Sequence, residues 1–360
     1  VTKSGLKNGQ VGRIYAGYGT DDRYQAGGNA SFFKNDRRLS IVGNFNNINQ
    51  QNFGSQDLLG VSSTGGGGGN RGGGGGFGGG GNNFLVGQSN GVSTTNALGI
   101  NYNNQFGPKL SLSASYFYNQ SSNDNKSIVN TETYTPGSFS LFTDQTGTTE
   151  TKNNNHRFNM RLEYKIDSSN TLYIIPSVNF QKNNSTNQSL AESYYGTNDS
   201  LSKSVLNSPA DRNGYDIRNN IMFRHAFAKK GRSISFGFNT IFSNNNSDVI
   251  TDAFYRFFDN GLSEDSLQNQ YADNSTNGQK YTANITYTEP NEKKGQLQFE
   301  YNPSIQKTNT DQLTYLYDGQ KYDEFESALS NSFDNTITTN TGGVSYRYIK
   351  SKDEMFSIGV

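Results

Sequence analysis

The 360-residue chain has no cysteine and no tryptophan, and only six prolines, three methionines and two histidines. Without cysteine there is no disulfide framework, no thiolate nucleophile and no thiolate metal site. The two histidines, His156 and His225, stand far apart in alternating segments with no second nitrogen or sulfur ligand near either in sequence, so no metal site is expected. No run of twenty apolar residues is present, so no helix crosses a membrane. Excess charge is also missing. Thirty-one Lys and Arg balance thirty-one Asp and Glu, which gives no electrostatic pull toward nucleic acid. No nucleophile elbow or triad spacing occurs, and no enzyme or cofactor is expected.

What the chain does have is aromatic and small polar residues. Only 31% of it is hydrophobic, yet it carries 22 Tyr and 24 Phe. Disordered chains lack such an aromatic load. Gly, Asn, Ser and Thr with little Pro favour strands and turns over helices.

The aromatics recur with period two. In "LSLSASYFYNQ" the residues Leu110, Leu112, Ala114, Tyr116 and Tyr118 share a face. In "TLYIIPSVNFQ", Leu172, Ile174, Pro176, Val178 and Phe180 do so. "RSISFGFNTIF" aligns Ile234, Phe236, Phe238 and Phe242, and "QLQFEYNPS" aligns Leu297, Phe299, Tyr301 and Pro303. About thirteen such segments can be counted, each roughly 10–12 residues long, the length a tilted transmembrane strand needs. Pro176 and Pro303 are expected near the far end of their strands, where a bulge absorbs the missing donor.

Tight polar turns centre on Asp36, Pro108, Ser168, Lys230, Lys293 and Lys352, a period of about sixty residues. Between them lie long polar stretches, such as residues 121–138 and 244–278, that are expected to be loops. Aromatic pairs within some of them, as in "ESYYG" and "DAFYRFF", suggest hairpins that run on past the bilayer. Short turns on one rim and long loops on the other is the asymmetry of outer-membrane barrels. An all-β, antiparallel up-and-down transmembrane barrel follows. Its lipid-facing set is Leu110, Leu112, Leu172, Ile174, Val178, Ile234, Phe236, Phe238, Leu297 and Phe299.

Eight charges take the opposite parity: Arg13, Arg161, Glu163, Lys165, Arg218, Arg224, Glu300 and Arg347. Arg or Lys turned toward lipid costs about 2–4 kcal/mol at the midplane. These residues are therefore expected to face the lumen, where they can meet a plug or a ligand.

Fourteen of the seventeen residues from Gly65 to Gly81 are glycine. The run contains Arg71, Gly74 and Phe77 and falls in a long-loop slot, at about 50–94. A mobile coil is expected there, since closure entropy grows only slowly with loop length. One arginine gives no grip on nucleic acid, and the Lys/Ser pair of a phosphate loop is missing. Carboxylates in "SEDS" (263–266) and "DEFE" (323–326) lack calcium-loop spacing and are expected to be solvated loop residues.

The stretch "GRIYAGYGTDDRYQAGGNASFFKNDRRLSIVGNFNNINQQNFGSQDLLG" (12–60), with its "NNINQQNF" box (46–53), resembles the first barrel strands of the Bacteroidetes outer-membrane β-barrel family related to TonB-dependent receptors. "VTKSG" (1–5) resembles the end of the plug that precedes such barrels. The resemblance implies a barrel of about 22 strands in the outer membrane of a Gram-negative bacterium. A plug lies inside it, TonB energises it, and an unidentified ligand passes. On that reading residues 1–8 end the plug or its linker. Residues 9–360 are then an incomplete barrel segment of about 13 strands. A non-TonB barrel, either a passive porin or a structural or secretion component, is the rival. A surface adhesin or β-solenoid fits the sixty-residue period less well.

Overall fold

The computed structural model describes residues 8–50, 90–134, 140–196, 200–259, 261–291, 295–349 and 354–360. Residues 1–7 and the glycine run with Gly65, Arg71, Gly74, Phe77 and Gly81 lie outside the described residues.

The chain folds as one antiparallel up-and-down sheet. Its strands are β1 (Asn8–Tyr18), β2 (Tyr24–Lys34), β3 (Arg37–Asn46), β4 (Val92–Phe106), β5 (Leu110–Thr133), β6 (Leu141–Lys165) and β7 (Asn170–Tyr195). They continue with β8 (Ser200–Ala226), β9 (Ser233–Asp259), β10 (Leu262–Asn291), β11 (Gly295–Tyr317), β12 (Tyr322–Phe325), β13 (Asn331–Ile349) and β14 (Met355–Gly359). Each strand pairs with its sequence neighbour, except that β12 pairs only with β11 and lies off the path. β12 and β13 are two parts of one return strand, split by a 3-10 turn at Ser327–Leu329. The split is stapled at Thr314, whose N–H donates to Ser330 Oγ at 2.9 Å and whose Oγ1 donates to the Leu329 carbonyl at 3.0 Å.

The strands are much longer than the alternating segments. β8 and β9 have 27 residues each and β10 has 30, about 90–100 Å of extended chain. Much of the polar stretch 121–138 belongs to β5, and most of 244–278 is β9 and β10. These segments are strand, not loop, and Ser263–Ser266 of the expected acidic loop sits inside β10. Asparagine side chains bridge the strands there. Asn183 Nδ2 donates to Asn153 Oδ1 at 2.6 Å, and Asn244 Nδ2 donates to Asn277 Oδ1 at 2.8 Å. Four of the six tight turns stand where the sequence puts them, between β2 and β3, β4 and β5, β6 and β7, and β8 and β9; those centred on Lys293 and Lys352 lie outside the described residues.

The prolines behave differently from the expectation. Pro176 sits seven residues into the 26-residue β7, toward the short-turn end. The β6–β7 ladder skips it and Ile175, then resumes without a register shift. On its other side Pro176 pairs normally with Asn219. Pro303 interrupts β10–β11 but pairs with Asn340, and Pro209 interrupts β8–β9 but pairs with Thr186. A strand residue aims its N–H at one neighbour only, so a proline removes a bond from one ladder and leaves the other intact. No bulge is required.

Candidate functional site: a two-faced wall

The pairing register carries each face from strand to strand. Leu110, Tyr164, Leu172, Phe223, Phe236, Ile285 and Tyr301 form one continuous cross-strand row. Leu112, Leu162, Ile174, Ile221, Phe238 and Ala283 form the next. Tyr116, Phe158, Val178, Ile217 and Phe242 follow further from the short turns. Above these, Tyr118, His156, Phe180 and Tyr215 make a ring-bearing row, with the Tyr118 and His156 centroids 4.9 Å apart. From Leu172 to Phe180 the band is nine residues deep, about 26 Å along the strand and about 20 Å once strand tilt is counted.

Burial separates the two faces independently of hydropathy. Among the described residues all the buried side chains lie on the face opposite this band, Ser40, Asn44, Asn46, Thr95, Asn101, Phe117, Asn155 and Thr314 among them. Phe236 on the band is 48% exposed while Asn44 is 0% exposed. Side chains crowd on the concave side of a curled sheet and splay on the convex side. The apolar band is therefore convex and the polar face concave.

The register puts all ten residues of the expected lipid-facing set on the convex face. It puts Arg13, Arg161, Glu163, Lys165, Arg218, Arg224, Glu300 and Arg347 together on the concave face. Four further charges share that face at the same level: Arg38, Arg157, Asp216 and Lys280. They carry the parity of their neighbours, which was the signal available in "RFNMRLEYKI" for Arg157. Among the described residues the level of the apolar band thus holds nine cations and three anions on its concave side. Arg218 donates to both Asp216 oxygens, at 2.6 and 3.1 Å, and Lys165 stands 4.0 Å from Glu163. Arg161 lies over the Tyr173 ring at 5.4 Å.

Further from the short turns the concave positions of β5–β11 and β13 are hydroxyl, amide and apolar. Arg212 is the one charge there short of the strand tips, where Asp259 and Glu264 lie. The charges at that height are convex. A shallow groove beside Pro209 gathers Glu150, Lys152, Asp211, Asp248 and Tyr271. Lys182 pairs with Asp211 at 3.4 Å, and Tyr271 donates to Asp248 at 2.6 Å, which pushes the phenol well above its ordinary range. This groove opens away from the concave face.

The "NNINQQNF" box is a structural staple as far as it is described. Asn46 Oδ1 accepts from the N–H groups of Ile48 and Gln50. Asn47 Oδ1 accepts from the Tyr24 N–H at 2.7 Å, at the start of β2. Asn49 Oδ1 accepts from the Ser93 N–H at 2.8 Å, and its Nδ2 donates to the Gly91 carbonyl at 2.7 Å. One short segment thereby ties β2, β3 and β4 together.

His156 is convex, 2.8 Å from Tyr116 Oη, and His225 lies 2.8 Å from Asn170 Oδ1. Among the described residues no three His, Asp or Glu side chains converge as metal ligands.

No protein-family model matches the chain, and no curated protein matches it. Among solved structures it is similar to the ferric-catecholate import receptor Fiu from E. coli K12 in its open form, at 10% identity and a TM-score of 0.31. That match covers 97% of this chain and 64% of the Fiu chain. It is also similar to the CymD monoaromatic hydrocarbon channel, at 9% identity and a TM-score of 0.23, over 94% of this chain and 85% of that one. The copper transporter OprC matches at 5% identity and a TM-score of 0.21, over 98% of this chain and 74% of its own. Likenesses this low leave the functional reading to rest on the chain's own register and faces.

Proposed function

We propose that this sheet is part of the wall of an outer-membrane β-barrel in a Gram-negative bacterium, and that the barrel is a receptor or transporter of the TonB-dependent type. The observation that carries the first half is the two-faced register. A mostly apolar convex band about 20 Å deep, broken by Asn219, Thr240, Gln279 and Lys307, backs a charged concave face, and it lies next to the short turns. A soluble sheet would have to cover such a band; a membrane covers it with outer-membrane lipid. The TonB-dependent half rests on the resemblance of residues 12–60. On this reading a plug of the same full-length protein occupies the lumen. The TonB complex pulls it, and a ligand gathered at the long rim passes along the concave face. The wall contributes shape and field, with no covalent chemistry.

Orientation is tested with single cysteines in the full-length protein, Ser168→Cys in the β6–β7 turn and Ser263→Cys near the tip of β10. A membrane-impermeant maleimide should label Ser263→Cys on intact cells and Ser168→Cys only after lysis. Labelling of both from outside would end the membrane reading. Retention of the full-length protein on immobilised TonB periplasmic domain supports the energised type, and no retention favours a passive barrel.

A further inference from the structure

We infer that the concave face at the level of the apolar band is a binding and passage surface for an anionic solute. This deepens the transport reading above and rests on it. The centre of the surface is Ser177 of β7. Arg218 stands directly across from it on β8, and Asn159 stands directly across on β6. Arg157 and Arg161 flank Asn159 two residues away on either side, on the same face. Diagonal neighbours of this kind are about 7–8 Å apart, within reach of long side chains. Three arginine positions therefore border Ser177, whose hydroxyl donates to Asn159 Oδ1 at 2.9 Å. Arg161 lies over the Tyr173 ring, and Arg218 holds the neighbouring carboxylate, Asp216, through two hydrogen bonds. Arg157 makes no ion pair among the described residues.

Two features make this a solute surface instead of a scatter of charges. The first is its level. The cations back the lipid-facing band, where the low-dielectric membrane behind the sheet concentrates their field toward the lumen. The second is the contrast above it. The concave wall beyond the band is hydroxyl, amide and apolar, and short of the tips only Arg212 competes there for the anion. The acidic side chains of that height, Glu150, Asp211 and Asp248 among them, lie on the convex side. An anion entering from the long rim crosses a neutral hydrogen-bonding wall and is drawn to the basic level. A cation meets the reverse gradient.

These 360 residues contain no cysteine, so in a full-length protein cleared of any thiol elsewhere, reactivity at an introduced thiol reads the local potential. Three variants of the full-length protein in outer-membrane fragments suffice: Ser177→Cys on the concave face, Ser275→Cys on the convex face of the distal β10, and Ile174→Cys in the convex band. Each is treated with an anionic sulfonatoethyl methanethiosulfonate and its cationic trimethylammonium counterpart. The anionic-to-cationic rate ratio at Ser177→Cys should exceed that at Ser275→Cys by about tenfold or more and collapse at high salt. Ile174→Cys should react with neither reagent. A ratio at Ser177→Cys no higher than at Ser275→Cys overturns the inference, as does protection of Ser177→Cys from both, the result an acidic segment packed over this face would give. Reaction at Ile174→Cys instead places the band in water, and then the barrel reading itself fails.

Discussion

Val178 of β7 stands directly across from Ile217 of β8 on the convex face, and one residue back along β7 Ser177 stands across from Arg218 on the concave face. A single step along the strand exchanges lipid-type contacts for charge. Substituting Ile217→Lys should therefore cost about 2–4 kcal/mol in the folding equilibrium measured in lipid bilayers. Ser243→Lys, on the concave face across from Asp216, should cost far less. Equal penalties for the two would mean that the faces do not differ in solvent.

Asn49 is the second test. It adopts a left-handed backbone, φ 61°, which asparagine tolerates better than most residues. Its side chain spans 44 positions of sequence to accept from the Ser93 N–H. Asn49→Ala removes both of its side-chain hydrogen bonds and strains the turn, at an expected cost of about 1–3 kcal/mol. Asn49→Asp keeps the acceptor for Ser93 and should recover part of that loss. Urea titration of the refolded protein in detergent distinguishes the two.

The sequence made the faces and the short turns legible because both are local. Alternation such as Leu172, Ile174, Val178 and Phe180 needs only one strand to be seen, and turns such as 107–109 announce themselves with Gly-Pro. The distal halves of the strands were not legible. Asn153–Asn155, Asn183, Asn184 and Asn244–Asn246 have poor strand propensity and no apolar parity. They are strand because a neighbour on each side supplies a ladder and amides such as Asn153 and Asn183 bond across it. That information lies dozens of residues away in sequence. The concave charges were mostly legible for the same local reason as the faces. Lys280 was equally legible and was overlooked: "NGQKYTANITY" sets Tyr281, Ala283, Ile285 and Tyr287 against Thr282, Asn284 and Thr286, and pairing with Gln306 and Ile241 places Lys280 on the polar side.

Gly99 tests the small apolar patch of the concave face. It lies across from Phe117 on one side and Val42 on the other, and those two side chains are 4% and 1% exposed. A Cβ at residue 99 would run into the Phe117 ring and stand 2.7 Å from Val42 Cγ1. Gly99→Ala should destabilise by about 1–3 kcal/mol through overpacking. The double variant Gly99→Ala/Phe117→Leu, which removes the ring, should lose less than the sum of the two single changes. Strict additivity in a double-mutant cycle would show that the ring does not rest on the glycine.

Glu289 closes the short-turn rim, directly across from Leu297 at the lower edge of the convex face. Its carboxylate accepts from Arg232 Nε at 2.7 Å and Nη2 at 2.8 Å, from Lys229 Nζ at 2.7 Å, and from Tyr287 Oη at 2.6 Å. The Arg232 bonds first, then Lys229 and Tyr287, hold the carboxyl far below the usual carboxylate range. A depressed folded-state value means that the unfolded chain takes up the proton first. The stabilisation is complete above the ordinary value of 4.5 and drains away as pH falls below it toward the folded-state value. Glu289→Gln, which cannot ionise, should lower the thermal midpoint in detergent at neutral pH. Its deficit against the unsubstituted protein should shrink by about pH 3. Because the group is solvent-facing, raised salt should narrow the same gap at neutral pH. A deficit that stays constant from neutral to acid pH would show that the network acts through shape and hydrogen bonding alone, with the charge contributing nothing.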